Sequence, residues 1–253
     1  MQVARRAVIV TGGARGIGAT YVRALAASGA QVVIADILQK EGEALAREVS
    51  SQPDGRAIFM WADVAKQPDA TRLAHTTAET FGSIDVLVNN AAIYADLGAK
   101  KPFDRISEAE WDTVMSVNVK GSWQCAKAVL PYMQRQQHGK IINVSSSSIY
   151  AGTPGLAHYV ASKAAVIGLT RSLARELGQH NICVNAIAPG LVFNEASTRL
   201  NPREYFEGAL VTRAIPRLMA PRDLVGTMLF LASAGSDFIT GQTFVVDGGA
   251  AMI

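Results

Sequence analysis

Tyr159 and Lys163 stand four residues apart, a spacing that puts both side chains on one face of a helix. A tyrosine ordinarily titrates at about pH 10 and is a poor base at neutral pH. A lysine cation within a few ångströms favours the phenolate and lowers that value. A phenol tuned in this way can exchange a proton with an alcohol or carbonyl oxygen. Upstream of Tyr159, at the end of a buried-strand pattern, is Ser146. Its hydroxyl could orient and polarise the reacting oxygen. It is one of a run of serines at 145–148, so the pattern alone leaves the choice among them open.

A second group of residues could hold an anion. The run Thr11-Gly12-Gly13-Ala14-Arg15-Gly16-Ile17-Gly18 follows an apolar strand pattern and opens a helix. Glycines permit the tight turn, the approach of backbone to a pyrophosphate, and close packing of helix on strand. The helix start then offers N–H groups and a positive dipole to phosphates. Farther on, the next strand pattern ends at Asp36. An acidic residue about 20 positions on is expected to accept from the adenosine ribose hydroxyls and to repel a 2′-phosphate. Arg15 could pair with such a phosphate, but Ile37 follows Asp36 where a second basic residue would be needed, so the pattern favours NAD over NADP.

These groups need a scaffold that brings them to one edge. Short β-branched runs at 7–11, 31–36, 57–62, 84–89, 140–145, 181–187 and 242–247 are mostly continuously apolar. Strands buried on both faces of a parallel sheet look like this. Helical periodicity fills the gaps: after Gly16, from the Ser107-Glu108-Ala109-Glu110 capping box to about Met133, and from Tyr159 to Gly178. Alternating strands and helices imply an α/β, Rossmann-like, doubly wound sheet of seven parallel strands with helices on both faces. Residues 1–253 read as a single dinucleotide-binding and catalytic domain. The stretch 189–219 breaks the rhythm and reads as a two-helix substrate lid.

Composition narrows the class. The chain has 253 residues, 24 Lys and Arg against 21 Asp and Glu, 18% charged and 49% hydrophobic. That excludes an intrinsically disordered chain. Basic residues are scattered, so no nucleic-acid stripe is expected. Cys125 and Cys183 have no metal-ligand spacing, and no metal site is expected. No apolar run is long enough for a bilayer or a signal peptide, so a cytoplasmic protein off the membrane is expected.

The set Thr11-Gly12-x-x-x-Gly16-x-Gly18, Asn89-Asn90-Ala91, Asn118, Ser146, Tyr159-x-x-x-Lys163, Pro189-Gly190 and a C-terminal Gly241 to Gly249 resembles the short-chain dehydrogenase/reductase family over residues 7 to 249. The resemblance implies that Tyr159 is the acid/base, Lys163 tunes it and holds the nicotinamide ribose, Ser146 orients substrate, and Asn118 positions a water in a proton relay. It implies further cofactor contacts at Arg15, Ile17, Ile37, Asp63, Val64, Asn89, Ala91, Pro189, Gly190 and Val192. Two departures stand out: Ala92 occupies a usual glycine, and Asn194 stands nearest the usual nicotinamide-binding threonine.

The expected reaction is hydride transfer between NAD and a secondary alcohol or ketone. The apolar lid favours a modest apolar or aromatic substrate, with Ser148, Tyr150, Phe193, Tyr205 and Phe206 lining its pocket; His158 is expected at the pocket rim or the surface. Alternatives are a 3-oxoacyl-(acyl-carrier-protein) reductase, a sugar or polyol dehydrogenase and, from another class, a non-catalytic dinucleotide-binding regulator. The resemblance also implies a homotetramer, and the apolar tail Ala250-Ala251-Met252-Ile253 is expected at an interface.

Overall fold

A computed structural model describes residues 3–53 and 55–253. The seven apolar runs become β1 (Ala7–Thr11), β2 (Gln31–Asp36), β3 (Arg56–Trp61), β4 (Val86–Asn89), β5 (Gly139–Val144), β6 (Ile182–Pro189) and β7 (Thr243–Val246). All pair in parallel, in the order β3-β2-β1-β4-β5-β6-β7. The chain direction across the sheet reverses between β1 and β4. In an open α/β sheet that reversal leaves a crevice outside the carboxyl ends of the strands.

The helices are α1 (Gly16–Ala27), α2 (Gln39–Ser50), α3 (Gln67–Phe81), α4 (Glu108–Met115), α5 (Ser122–Gln136), α6 (Ser148–Ala151), α7 (Ala157–Leu177), α8 (Glu195–Leu200), α9 (Arg203–Val211) and α10 (Val225–Ala232). Strand alternation sorts the core into two layers. Val8, Val10, Val32 and Ile34 pack with Leu25 of α1 and Met228 and Leu231 of α10. Ile9, Val33, Leu87, Ile141 and Val184 pack on the other face with Leu73 of α3 and with Val129 and Met133 of α5. Each such side chain contributes roughly 1.5–3 kcal/mol through burial. β3 and β7 are the sheet edges and are only partly buried, so the continuous-burial pattern holds for the central strands alone.

The capping box predicted at Ser107 is present: its hydroxyl accepts from the Glu110 N–H, and Glu110 accepts from the Ser107 N–H. The helix it opens does not run evenly. A π-helical segment, Ser116–Gly121, joins α4 to α5 and carries Asn118. The 189–219 excursion contains α8 and α9, and its base is tied down by a Val192–Met219 bridge. Among the described residues no helix is long and apolar enough to cross a membrane, and no cluster of His, Cys, Asp or Glu could hold a metal ion.

Candidate active site

A cavity of about 930 Å³ lies at the carboxyl ends of β1, β2, β4, β5 and β6. Its first wall is the glycine turn. Gly16 has φ +58°, a left-handed conformation, and a Cβ there would project into open space whose nearest atom is Asn194 Nδ2 at 3.8 Å. Gly18 meets a different demand: its Cβ would lie 2.0 Å from the Gly12 carbonyl oxygen. Arg15, the N-cap of α1, gives the helix no side-chain cap. The first-turn N–H groups of a twelve-residue helix therefore face the cavity floor without a capping oxygen, the arrangement that accepts a phosphate. A dinucleotide fits this cradle.

The second wall is Asp36, at the end of β2 and 8% exposed. Its carboxylate accepts from the Ala14 N–H at 2.9 Å and the Leu38 N–H at 3.1 Å. Those bonds fix the carboxylate, and a carboxylate has about four acceptor sites, so capacity for ribose hydroxyls remains. Ile37 beside it is 58% exposed, an apolar neighbour where a 2′-phosphate would need a cation. Asp63 and Val64 continue this wall, with Asp63 accepting from the Ala65 N–H.

The third wall holds the acid–base group. Tyr159 and Lys163 lie on α7, one helical turn apart and almost fully buried. Ser146 follows β5; its hydroxyl accepts from the Ser148 N–H at 3.2 Å and hydrogen-bonds with the Tyr159 hydroxyl. Ser146 and Tyr159 both line the cavity, so their two hydroxyls face one space. Lys163 Nζ donates to the Val144 carbonyl at 2.7 Å and lies 5.7 Å from the Tyr159 ring centroid.

The protonation pattern corrects one expectation. The Tyr159 phenol is not lowered by Lys163 here. Burial raises it well above the ordinary value, the neighbouring Tyr94 adds to the rise, and the Ser146 hydrogen bond opposes it. Burial also lowers Lys163 to about 8. Both groups are pushed toward neutrality by one cause, removal from water. Tyr159 is thus held as the protonated phenol, ready to donate.

Asn118 is buried and does not line the cavity. Its Oδ1 accepts from the Ile93 N–H at 2.8 Å, and its Nδ2 donates to Ser162 on α7 at 3.0 Å. It therefore ties the loop after β4 to the helix that carries Tyr159. Asn89 is corrected more strongly. Its side chain points away from the cavity and donates to the Ser122 carbonyl and to Asn143. The neighbouring Asn90 lines the cavity instead, because successive strand residues face opposite ways. Asn90 Nδ2 donates to the Thr11 and Gly12 carbonyls and so braces the glycine turn. Period-two alternation was the signal that could have found it.

Gly12, Arg15, Ile17, Ala91, Pro189, Gly190 and Val192 all line the cavity. Ala92 also lines it, and its φ is not positive, so the backbone there makes no demand for glycine. Asn194 lines the cavity too, but its Oδ1 caps α8 by accepting from the Ser197 N–H at 2.9 Å.

Of the five residues expected at the substrate wall, two line this cavity and three do not. Ser148 and Tyr205 line the cavity. Tyr150, Phe193 and Phe206 do not: Tyr150 is exposed, and Phe206 is buried with Phe193 packed edge-on against it at 5.2 Å. Tyr94, Lys100, Glu204, Thr212 and Arg213 line it instead. The wall is more polar than the lid sequence suggests. His158, expected at the rim or surface, is buried with an unpartnered Nδ1 and does not line the cavity.

Comparison with known proteins supplies a separate line of support. A family model described as enoyl-(acyl carrier protein) reductase matches residues 12–251. A probable galactose dehydrogenase of Rhizobium meliloti (strain 1021) is 39% identical, covering 96% of this chain and 94% of its own. A 3-oxoacyl-[acyl-carrier-protein] reductase of Staphylococcus aureus (strain Mu50) is 40% identical, covering 98% of each. The crystal structure of a levodione reductase superposes with a TM-score of 0.90 at 30% identity, covering 97% of each chain.

Proposed function

The chain belongs to the short-chain dehydrogenase/reductase family of oxidoreductases, and from that premise we propose that it transfers hydride between NAD and a secondary alcohol or ketone. One observation carries the reading: the Ser146–Tyr159 hydroxyl pair shares a cavity with the uncapped helix start at Gly16 and the Asp36 carboxylate. The glycine turn and the α1 N-terminus would hold the pyrophosphate, Asp36 the adenosine ribose, and Lys163 the nicotinamide ribose. When bound, the nicotinamide supplies or accepts the hydride. In reduction Tyr159 donates its proton to the oxygen as the carbon–oxygen double bond becomes a single bond. In oxidation Tyr159 takes that proton back. Ser146 donates to the same oxygen, where charge develops, and the preorganised donor lowers the barrier.

The same reading gives the segment 189–219 the role of a lid within a single domain, and it makes the protein a homotetramer. Trp111 of α4 and Trp123 of α5 are large exposed side chains that an assembly would cover, as are Met252 and Ile253 at the tail. Similarity to sugar and 3-oxoacyl relatives leaves those substrate classes as the competing readings.

Absorbance at the reduced-nicotinamide band, with NAD and NADP offered in turn, tests the reading. Turnover with NAD is expected at lower cofactor concentration than with NADP. Tyr159→Phe should lower kcat by about 10²–10⁴-fold, the usual worth of a positioned acid/base, with NAD binding preserved. Retained turnover removes Tyr159 from the mechanism, and an NADP preference overturns the role given to Asp36.

A further inference from the structure

Next to the reacting hydroxyls stands a second phenol that the motifs do not mark. Tyr94, in the connection after β4, lines the cavity and packs its ring against that of Tyr159, with centroids 5.1 Å apart at 49°. Its hydroxyl accepts from Asn201 Nδ2 at 3.3 Å. The Asn201 amide cannot turn over without loss, because the same Nδ2 also donates to the Ser197 carbonyl at 2.9 Å. A phenol whose oxygen already accepts is left to donate, and the Tyr94 proton has no acceptor among the described residues. Burial raises its pKa, so it stays a neutral donor. A second observation points the same way. Ser148, also lining the cavity, has a solvent-shielded hydroxyl without a partner.

Lys100 sits over the Tyr205 ring at 3.6 Å, and Arg213 donates to the Leu191 and Arg217 carbonyls. The unpaired donors lining the cavity, at Tyr94 and Ser148, are neutral hydroxyls, which suit a neutral oxygen.

We propose that Tyr94 is a substrate-contacting, specificity-determining residue, selecting ketones and alcohols that carry a further neutral oxygen on the carbon next to the reacting carbon or one beyond it. The ring contact puts Tyr94 beside Tyr159, so the second oxygen belongs on a carbon close to the reacting one. The inference rests on the hydride-transfer reading and names the substrate class for the same site.

The test compares matched ketones in the wild type and Tyr94→Phe, a change that keeps the stacked ring and removes only the hydroxyl. Acetoin is paired with methyl ethyl ketone, and acetylacetone with methyl propyl ketone. The wild type should favour the two-oxygen member of at least one pair, by about tenfold in kcat/KM, the worth of one hydrogen bond that the competitor leaves unmade. Tyr94→Phe should lower kcat/KM for that member about tenfold more than for its one-oxygen partner, with dinucleotide affinity held. Equal loss on both members, or no preference in the wild type, overturns the role of Tyr94 and leaves the hydride reading standing. No turnover of any probe with either dinucleotide overturns both.

Discussion

Lys163→Met should remove turnover and yet leave the protein at least as stable at neutral pH. Lys163 is 3% exposed and titrates at about 8, against an ordinary 10.5, because burial disfavours its charge. At about 1.36 kcal/mol per pH unit, charging it in the fold costs roughly 3 kcal/mol more than charging it in the unfolded chain. That cost is present in full below about pH 8, where both states hold the proton. Between there and the ordinary 10.5 the unfolded chain holds the proton that the fold has released, so stability rises with pH. Methionine is uncharged and removes the cost. It also leaves the Val144 carbonyl without the 2.7 Å donor, a loss of about 1–3 kcal/mol. The balance lies between roughly zero and 2 kcal/mol in favour of the variant, or up to about 8 °C in Tm for a chain of this size. Urea unfolding at fixed protein concentration, at pH 7 and again near pH 9.5, measures it. The wild type should gain stability across that interval relative to the variant. Tyr159, whose value is raised, works in the opposite sense only above about pH 10, outside the interval. A variant that loses several kcal/mol at pH 7, or that keeps the wild-type slope, would refute the reasoning.

Gly18→Ala places a Cβ 2.0 Å from the Gly12 carbonyl oxygen and 2.7 Å from Asn90 Nδ2, so the turn must open; dinucleotide affinity should fall about tenfold or more by titration, and wild-type affinity would exclude the close-packing role. Asn118→Ala strips the acceptor from the Ile93 N–H and the donor from Ser162, costing about 1–3 kcal/mol in urea unfolding; kcat should fall while cofactor affinity stays, and a loss of affinity alone would contradict the bracing role.

Much of the fold was legible because its signals are local and repeated. β1 and β2 occur at the residues their apolar runs mark, and the Ser107 capping box forms as its spacing requires. Misread boundaries have tertiary causes. The sequence pattern from Ser107 implies a uniform helix, whereas the π-helical turn at 116–121 carries Asn118 to both Ile93 and Ser162. Nothing in the local sequence contains that demand, because the two partners lie 25 and 44 residues away.

The site divides along the same line. Gly16, Asp36, Ser146, Tyr159 and Lys163 line one cavity, and their types and spacing are recognisable without the fold. The substrate wall has no such pattern. Phe193 and Phe206 look like pocket residues in an apolar segment, but they pack edge-on against each other. Tyr94 looks like an incidental loop aromatic, yet the reversal of strand order brings it against Tyr159 and across from Asn201. Its role is defined by partners 65 and 107 positions away in sequence. Where specificity is built from contacts between distant segments, a single sequence can disclose the reaction and leave the substrate to the three-dimensional arrangement. The hydroxyl pair at Tyr94 and Ser148, which can donate hydrogen bonds to a substrate oxygen, is where that arrangement becomes chemically specific.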